Sequence, residues 1–420
     1  MPDRTRSNPV TDRLERFVYD RVKSRPRLKR VLTDTYQRVL SVVPQHPMVT
    51  DRPVTVREGF FFGFHDKCPW SSDNRFLLAH RVNHPLRMPV SDDEIDVGLF
   101  HGEDYREFKV LGKTRTWNWQ TGSMLQWMES DNSIAFNDLN GETHVARVVD
   151  AGGQGVRHLP RPMASVSPDG TRALSHSFAR LRKVAPAYGY ANGSTPEEDD
   201  PLPREDGLFI MDTETGESER LFTVRHIATV EPESSMESAY HYFSHCLFSP
   251  SGTRFTFFHR WVTPKGMTVT RMISSDIGGN DLFVFPTDGK VTHVAWRDDE
   301  TILAYASTRS LGDHYYLFTD KKEEFSVFGG KHLTSDGHPQ FSPDGSRIVT
   351  DTYPNGWRHQ YLIVYDAERD RRTDLVKVHS PFRFRHDLRC DLHPRWDRTG
   401  GQVCFDSAHT GTRSLCTVHL

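Results

Sequence analysis

The sequence predicts an all-β protein, a seven-bladed β-propeller with an N-terminal helical extension. Three observations predict it: a tight polar turn that recurs seven times, strand-like apolar runs on either side of it, and a length that suits seven repeats. The fullest turns are Phe341-Ser342-Pro343-Asp344-Gly345, Phe248-Ser249-Pro250-Ser251-Gly252 and Val166-Ser167-Pro168-Asp169-Gly170. Plainer copies are Trp70-Ser71-Ser72-Asp73-Asn74, Trp127 before Ser130-Asp131-Asn132, Trp296 before Asp298-Asp299-Glu300, and Trp396-Asp397-Arg398-Thr399-Gly400. Pro presets φ early in such a turn and Gly or Asn accepts a positive φ later, so each copy closes a hairpin. Blades of about 50 residues use about 350 of the 420 residues, which accounts for nearly everything after residue 50.

The inner strand pairs are expected at 63–82, 118–138, 161–178, 242–260, 290–308, 336–352 and 391–408. The chain ends just after a third strand, Ser414 to Leu420, so a closed ring must take its outer strand from the N-terminal side. Pro53-Val54-Thr55-Val56-Arg57 is the natural donor, and closure removes the exposed sheet edges. The 26 Phe, 13 Tyr and 8 Trp suit sheets packed face to face. Residues 185–206 form a long insertion in the third blade, a length at which loops are functional or disordered.

The first fifty residues differ from the propeller at 51–420. Leu14, Phe17, Val18 and Val22, then Leu28, Val31, Leu32, Tyr36, Val39, Leu40 and Val43, fall at helical spacing on either side of Pro26. Residues 11–43 hold nine Lys or Arg against four acids, +5 in a chain of net charge −3. A basic amphipathic helix of this kind either lies on an anionic membrane surface or partner, or packs its apolar stripe on its own protein. The overall charge gives no support for nucleic-acid binding. There is no long apolar run and no apolar leader, and the five cysteines lack CxxC spacing. The expectation is a cytoplasmic protein with reduced thiols, peripheral to the membrane if the helix engages it.

Candidate chemistry begins at one repeat position. Three residues before the turn aromatic, four consecutive blades carry His245, His293, His338 and His393. Equivalent propeller positions are related by rotation about the central channel, so these side chains should converge. Such a ring is either structural, satisfied by carbonyls and water, or a site for a divalent Mn, Zn, Ni or Fe ion, for which neutral imidazole is a preferred ligand. Near the end of the second strand lie His80, Asn137, His176, His259, Asp351 and Asp406. With Arg81, Arg260, Tyr353, Arg358, His359, Arg385, His386 and His65 they make one face rich in His, Arg and Tyr. That mixture suits an anionic ligand, because Arg clamps carboxylates while His and Tyr move protons.

The segments Asp336-Gly337-His338-Pro339-Gln340-Phe341-Ser342-Pro343-Asp344-Gly345 and Asp391-Leu392-His393-Pro394-Arg395-Trp396 look like blades of TolB-like propellers. Within these, the His-before-turn pattern resembles oligogalacturonate lyases and the related ulvan and rhamnose–glucuronate lyases. Gly63-Phe64-His65-Asp66-Lys67-Cys68-Pro69-Trp70, with His80 and His84 downstream, is similar to the first-blade His pair of those enzymes. The resemblance spans roughly 55–420 and implies β-elimination in an acidic, uronate-containing oligosaccharide or polysaccharide. It implies His245, His338 and His393 as metal ligands, with His293 as a fourth candidate ligand. His65 and His80 would be base or acid, and Arg260 or Arg385 would hold the carboxylate. Tyr353 would join the catalytic set, while His176, His259, Arg81, Arg358 and His386 would line the substrate. Oligogalacturonate lyases complete the metal site with a glutamine, and Gln340 is the only one beside this ring. The alternative is a non-catalytic propeller that binds glycan or protein in envelope polysaccharide assembly. A glycoside hydrolase would need two opposed carboxylates, for which Asp351 and Asp406 are the available pair.

Overall fold

A computed structural model describes residues 26–128 and 133–420. Seven antiparallel sheets are arranged as blades, with strands in sequence order from the innermost outward. Six blades fall at 60–114, 126–159, 165–223, 240–284, 291–327 and 340–379. The seventh combines 395–396, 402–407 and 414–419 with the strand Val54–Glu58, whose register runs from Val54 opposite Val418 to Glu58 opposite Ser414. The ring therefore closes through the segment predicted to donate its outer strand. A short strand, Met48–Val49, adds a fifth member to the sixth sheet by pairing with Val378 and Lys377.

The recurrent turns adopt the backbone their residues require. Gly170, Gly252, Gly345 and Gly400 have φ between 71° and 72°, and Asn74 takes the same role at 57°. In the fullest copies the serine hydroxyl also donates to the aspartate two residues on, Ser167 to Asp169 and Ser342 to Asp344, each at 2.5 Å. The turn thus carries its own polar partners and needs nothing from the core. The turn expected at Ser130-Asp131-Asn132 lies outside the described residues, as does the helix expected before Pro26.

Aromatic and branched side chains pack between blades. Phe178, Tyr190, Phe222, Phe243 and Phe257, for example, share one buried cluster across blades three and four. The 185–206 insertion joins this packing. Tyr190 stacks on Phe178 at 4.5 Å and shares a hydrogen bond with the Asn137 amide at 2.8 Å. Arg180, buried in the helix Phe178–Val184 (α1 in the propeller), donates to the carbonyls of His241, Glu197, Asp200 and Pro201. These bonds tie the insertion to the third and fourth blades.

Candidate functional site

The strand geometry brings His293, His338 and His393 together, with ring centroids 4.1 Å apart for the first pair and 4.3 Å for the second. His65 joins them at 5.4 Å from His338 and 5.7 Å from His293. The fourth ring member, His245, instead has Phe64 at 5.0 Å, Phe258 at 5.0 Å and Tyr188 at 5.8 Å as ring neighbours. Phe64 touches all four rings, at 5.0 to 6.1 Å, and occupies the middle of the set. The expected convergence is thus divided: three ring histidines plus His65 form one cluster, and His245 stands apart beside Phe64. His245 and His393 have φ of 54° and 44°, a conformation uncommon outside glycine.

Hydrogen bonds fix how these imidazoles face. His338 Nδ1 lies 2.8 Å from Asp351 Oδ1, His293 Nδ1 lies 3.0 Å from Asp336, and His65 Nδ1 lies 2.9 Å from the Pro339 carbonyl. With Nδ1 engaged, the other nitrogen is presented inward. The Nε2 atoms of His65, His338 and His393 are all buried without a partner, as is Asp391 Oδ1. The donor atoms of His338, Asp391 and His393 lie within 4.8 Å of one another. Buried imidazoles whose far nitrogen is held by a carboxylate or carbonyl are the arrangement of metal ligands. Burial, then neighbouring charge, holds His65 and His393 well below the usual imidazole range, so both are neutral at physiological pH. Burial also pushes His338 down, but Asp351, Asp391 and Asp336 outweigh it and raise its pKa. The negative field that favours a proton there equally favours a cation.

A polar rim covers the cluster. Tyr353 lies 5.5 Å from His338. Arg389 donates to Asp391 at 2.6 Å and to the Tyr188 hydroxyl at 2.7 Å, and its guanidinium lies 5.7 and 5.9 Å from the rings of Tyr188 and Tyr353. Arg260 sits over Phe258 with its Nε buried and unpartnered, and its charge lowers the His245 pKa after burial. His176 lines a small cavity with Phe64, Tyr188 and His245. On the side of the recurrent turns, the channel opens as a cavity of ≈ 500 Å³ bordered by His65, Lys67, Trp127, Trp296 and Arg398.

Several expected site residues lie elsewhere. His80 is fully buried, stacked on Phe61 at 4.9 Å, and its Nε2 accepts the Ser123 N–H at 3.1 Å. Burial holds its pKa at about 3. The same inter-blade tie recurs: Asn137 Oδ1 accepts from Met163 N–H, Asp351 from His393 N–H, and Asp406 from Phe62 and Gly63 N–H. The polar residue ending the second strand therefore satisfies the next blade's backbone, which also leaves Asp351 and Asp406 committed to binding N–H groups. His259 is enclosed by His241 and Arg271, at 2.9 and 3.1 Å. Arg81 pairs with Asp96 at 2.5 Å. Arg358 and His386 reach the N-terminal helix through Gln37 and Asp34, at 3.1 and 2.8 Å, and Arg385 lies over Phe382. Gln340 is spent between the His65 carbonyl and the Trp396 N–H, at 3.1 and 2.6 Å, so it is not presented to the cluster.

Asp391, Asp336, Arg389 and Tyr188 were not singled out from sequence. The signal for the first two was present: Asp336-Gly337-His338 and Asp391-Leu392-His393 repeat an Asp-x-His pattern in adjacent blades. Nothing local marks Arg389 or Tyr188, whose pairing joins residues 201 apart.

No protein-family model and no curated protein sequence matches the chain. Solved structures do. An oligogalacturonate lyase in complex with manganese aligns with a TM-score of 0.64 at 15% identity, covering 90% of this chain and 97% of that one. An oligogalacturonate lyase from Vibrio parahaemolyticus aligns at 0.61 and 13% identity, covering 90% and 98%. At this identity the likeness establishes the fold. The protein is a seven-bladed β-propeller whose channel holds a buried histidine–carboxylate cluster under an Arg/Tyr rim.

Proposed function

We propose that the protein is a metal-assisted lyase that cleaves uronate-containing glycan by β-elimination. The observation that carries this reading is the set of unpartnered buried donors, His65, His338 and His393 Nε2 with Asp391 Oδ1, beneath a rim of two arginines and two tyrosines. The mixed nitrogen and oxygen donors suit a divalent ion such as Mn, Zn, Ni or Fe, and His338, His393 and Asp391 would hold it, with His65 adjacent. Such an ion supplies Lewis-acid neutralisation of the substrate carboxylate.

The remaining roles fall to the chain's own groups. Arg389 and Arg260 bind and orient the uronate carboxylate, whose charge must be contained as the C5 proton leaves. His245 is half-buried beside Arg260 and kept neutral, first by burial and then by that charge, so it can accept the C5 proton. The electron pair of the C–H bond becomes the C4–C5 double bond, and the C4–O bond breaks. Tyr353, whose pKa burial raises well above the ordinary phenol range, keeps its O–H to donate to the leaving oxygen.

The test is ultraviolet absorbance of the unsaturated uronate product, with the manganese-loaded full chain and a panel of uronate glycans. Product is expected from at least one glycan and is lost in His245→Ala and Arg389→Ala. Absence of product across the panel, or full activity in both variants, overturns the reading.

A further inference from the structure

The N-terminal helix Pro26–Leu40 (15 residues) is mounted on the propeller the reverse of the usual way. Two of its polar residues, Asp34 and Gln37, face the protein. Gln37 is buried, accepts from Arg358 at 3.1 Å and donates to the Asn355 carbonyl at 3.2 Å, and Asp34 Oδ2 lies 2.8 Å from His386 Nε2. Just past the helix, Gln45 meets His359 at 3.0 Å. Leu32 and Val39 lie on the opposite side of the helical wheel from Asp34 and Gln37 and are exposed by 44% and 63%. Val31 within the helix, and Val42 and Val43 just past it, are also exposed, at 61%, 79% and 44%. Amphipathic helices ordinarily bury that stripe on their own core. Here specific hydrogen bonds hold the helix so that the stripe points away.

We propose that this outward ledge is a docking surface for an anionic lipid bilayer, on which the propeller rides through its N-terminal helix. Charge selects the occupant. By sequence the segment is basic, with nine Lys or Arg against four acids over 11–43; among the described side chains Arg38 is exposed and Asp34 is turned to His386. Apolar residues flanked by basic ones are what an interfacial helix needs: aliphatic groups enter the acyl boundary while Lys and Arg meet anionic headgroups. Among the described residues no helix is long and apolar enough to cross a membrane, so the contact is one of lying on the surface. This inference is independent of the channel chemistry.

The experiment is co-sedimentation of the full chain with vesicles of phosphatidylcholine and phosphatidylglycerol in equal parts, and with phosphatidylcholine alone. Binding is expected to the anionic vesicles and to fall as salt is raised from about 0.15 to about 1 M, which shortens screening from about 8 to about 3 Å. The double variant Leu32→Asp/Val39→Asp should bind about tenfold more weakly or worse, with an unchanged far-ultraviolet spectrum and melting temperature. Should that variant not fold, Arg38→Glu carries the test, with weakened binding to anionic vesicles expected. Absence of binding to anionic vesicles, or binding undiminished in the folded variants, overturns the proposal. So does a lipid-free dimer that the variants convert to monomer, since the ledge would then belong to a second copy.

Discussion

Replacing Asp351 by Asn tests whether the histidine cluster is built to hold a cation. The Asp351 carboxylate accepts from three groups in two blades. Its Oδ1 takes the His338 backbone N–H and ring Nδ1, both at 2.8 Å, and its Oδ2 takes the His393 backbone N–H at 3.0 Å. Asn has the same shape but presents an NH₂ in place of one oxygen. Turned one way, that NH₂ faces His393 N–H; turned the other, it faces both His338 groups. One buried donor left unmatched costs about 1–3 kcal/mol. The lost charge also frees the His338 ring from the tautomer that presents Nε2, and outer-shell changes of this kind lower metal affinity about 10- to 100-fold. Calorimetric titration of Mn²⁺ and Zn²⁺ into wild type and variant, with urea unfolding of each, reads both effects. A wild type that binds neither ion refutes the argument. So does a variant that loses stability but keeps full affinity, because Asp351 would then merely brace two backbone segments.

Two further outcomes are expected. Gly122→Ala should destabilise the fold by about 2–4 kcal/mol, combining a left-handed backbone with overpacking, since Gly122 has φ of +58° and a Cβ would lie 2.2 Å from His80 Cε1; an unchanged urea midpoint would contradict the packing of His80. Stability should also fall on acidification, because burial depresses His80 to about 3 and His176 to about 4 from 6.5. Groups depressed in the folded state contribute fully above the unfolded pKa and lose that contribution as pH drops below it. Each therefore withdraws about 2 kcal/mol between pH 8 and pH 5, and a pH-independent midpoint over that range would show that these imidazoles are solvated.

How much was legible differs from feature to feature. The turn motif carries its own cause, a serine, an aspartate and a residue that tolerates positive φ, so the hairpins and the seven-fold repeat could be read locally. Ring closure followed from edge-strand physics, and the structure pairs Val54–Glu58 with the last strand as that argument required. Repeat position also brought together three of the four ring histidines, His293, His338 and His393, because rotation about a common axis converts equal sequence position into spatial proximity. Repeat logic could not say which polar residues at the second-strand ends face the channel and which meet the next blade's amides. His80, Asn137, Asp351 and Asp406 look alike in sequence and are settled by neighbours in another blade.

What the sequence determined by itself is therefore whatever depends on local backbone preference and periodicity: the blades, the turns, the amphipathic helix and the candidate ring. What only the tertiary structure decided depends on contacts between segments far apart in the chain. Phe64 divides His245 from the other three histidines, Asp391 and not Gln340 lies with His338 and His393, and Tyr188 reaches across 201 residues to Arg389. The outward turn of the helix belongs to the same class. Its periodicity was written in residues 28–43, but the side that faces the propeller was chosen by Arg358, Asn355 and His386, more than 300 residues away.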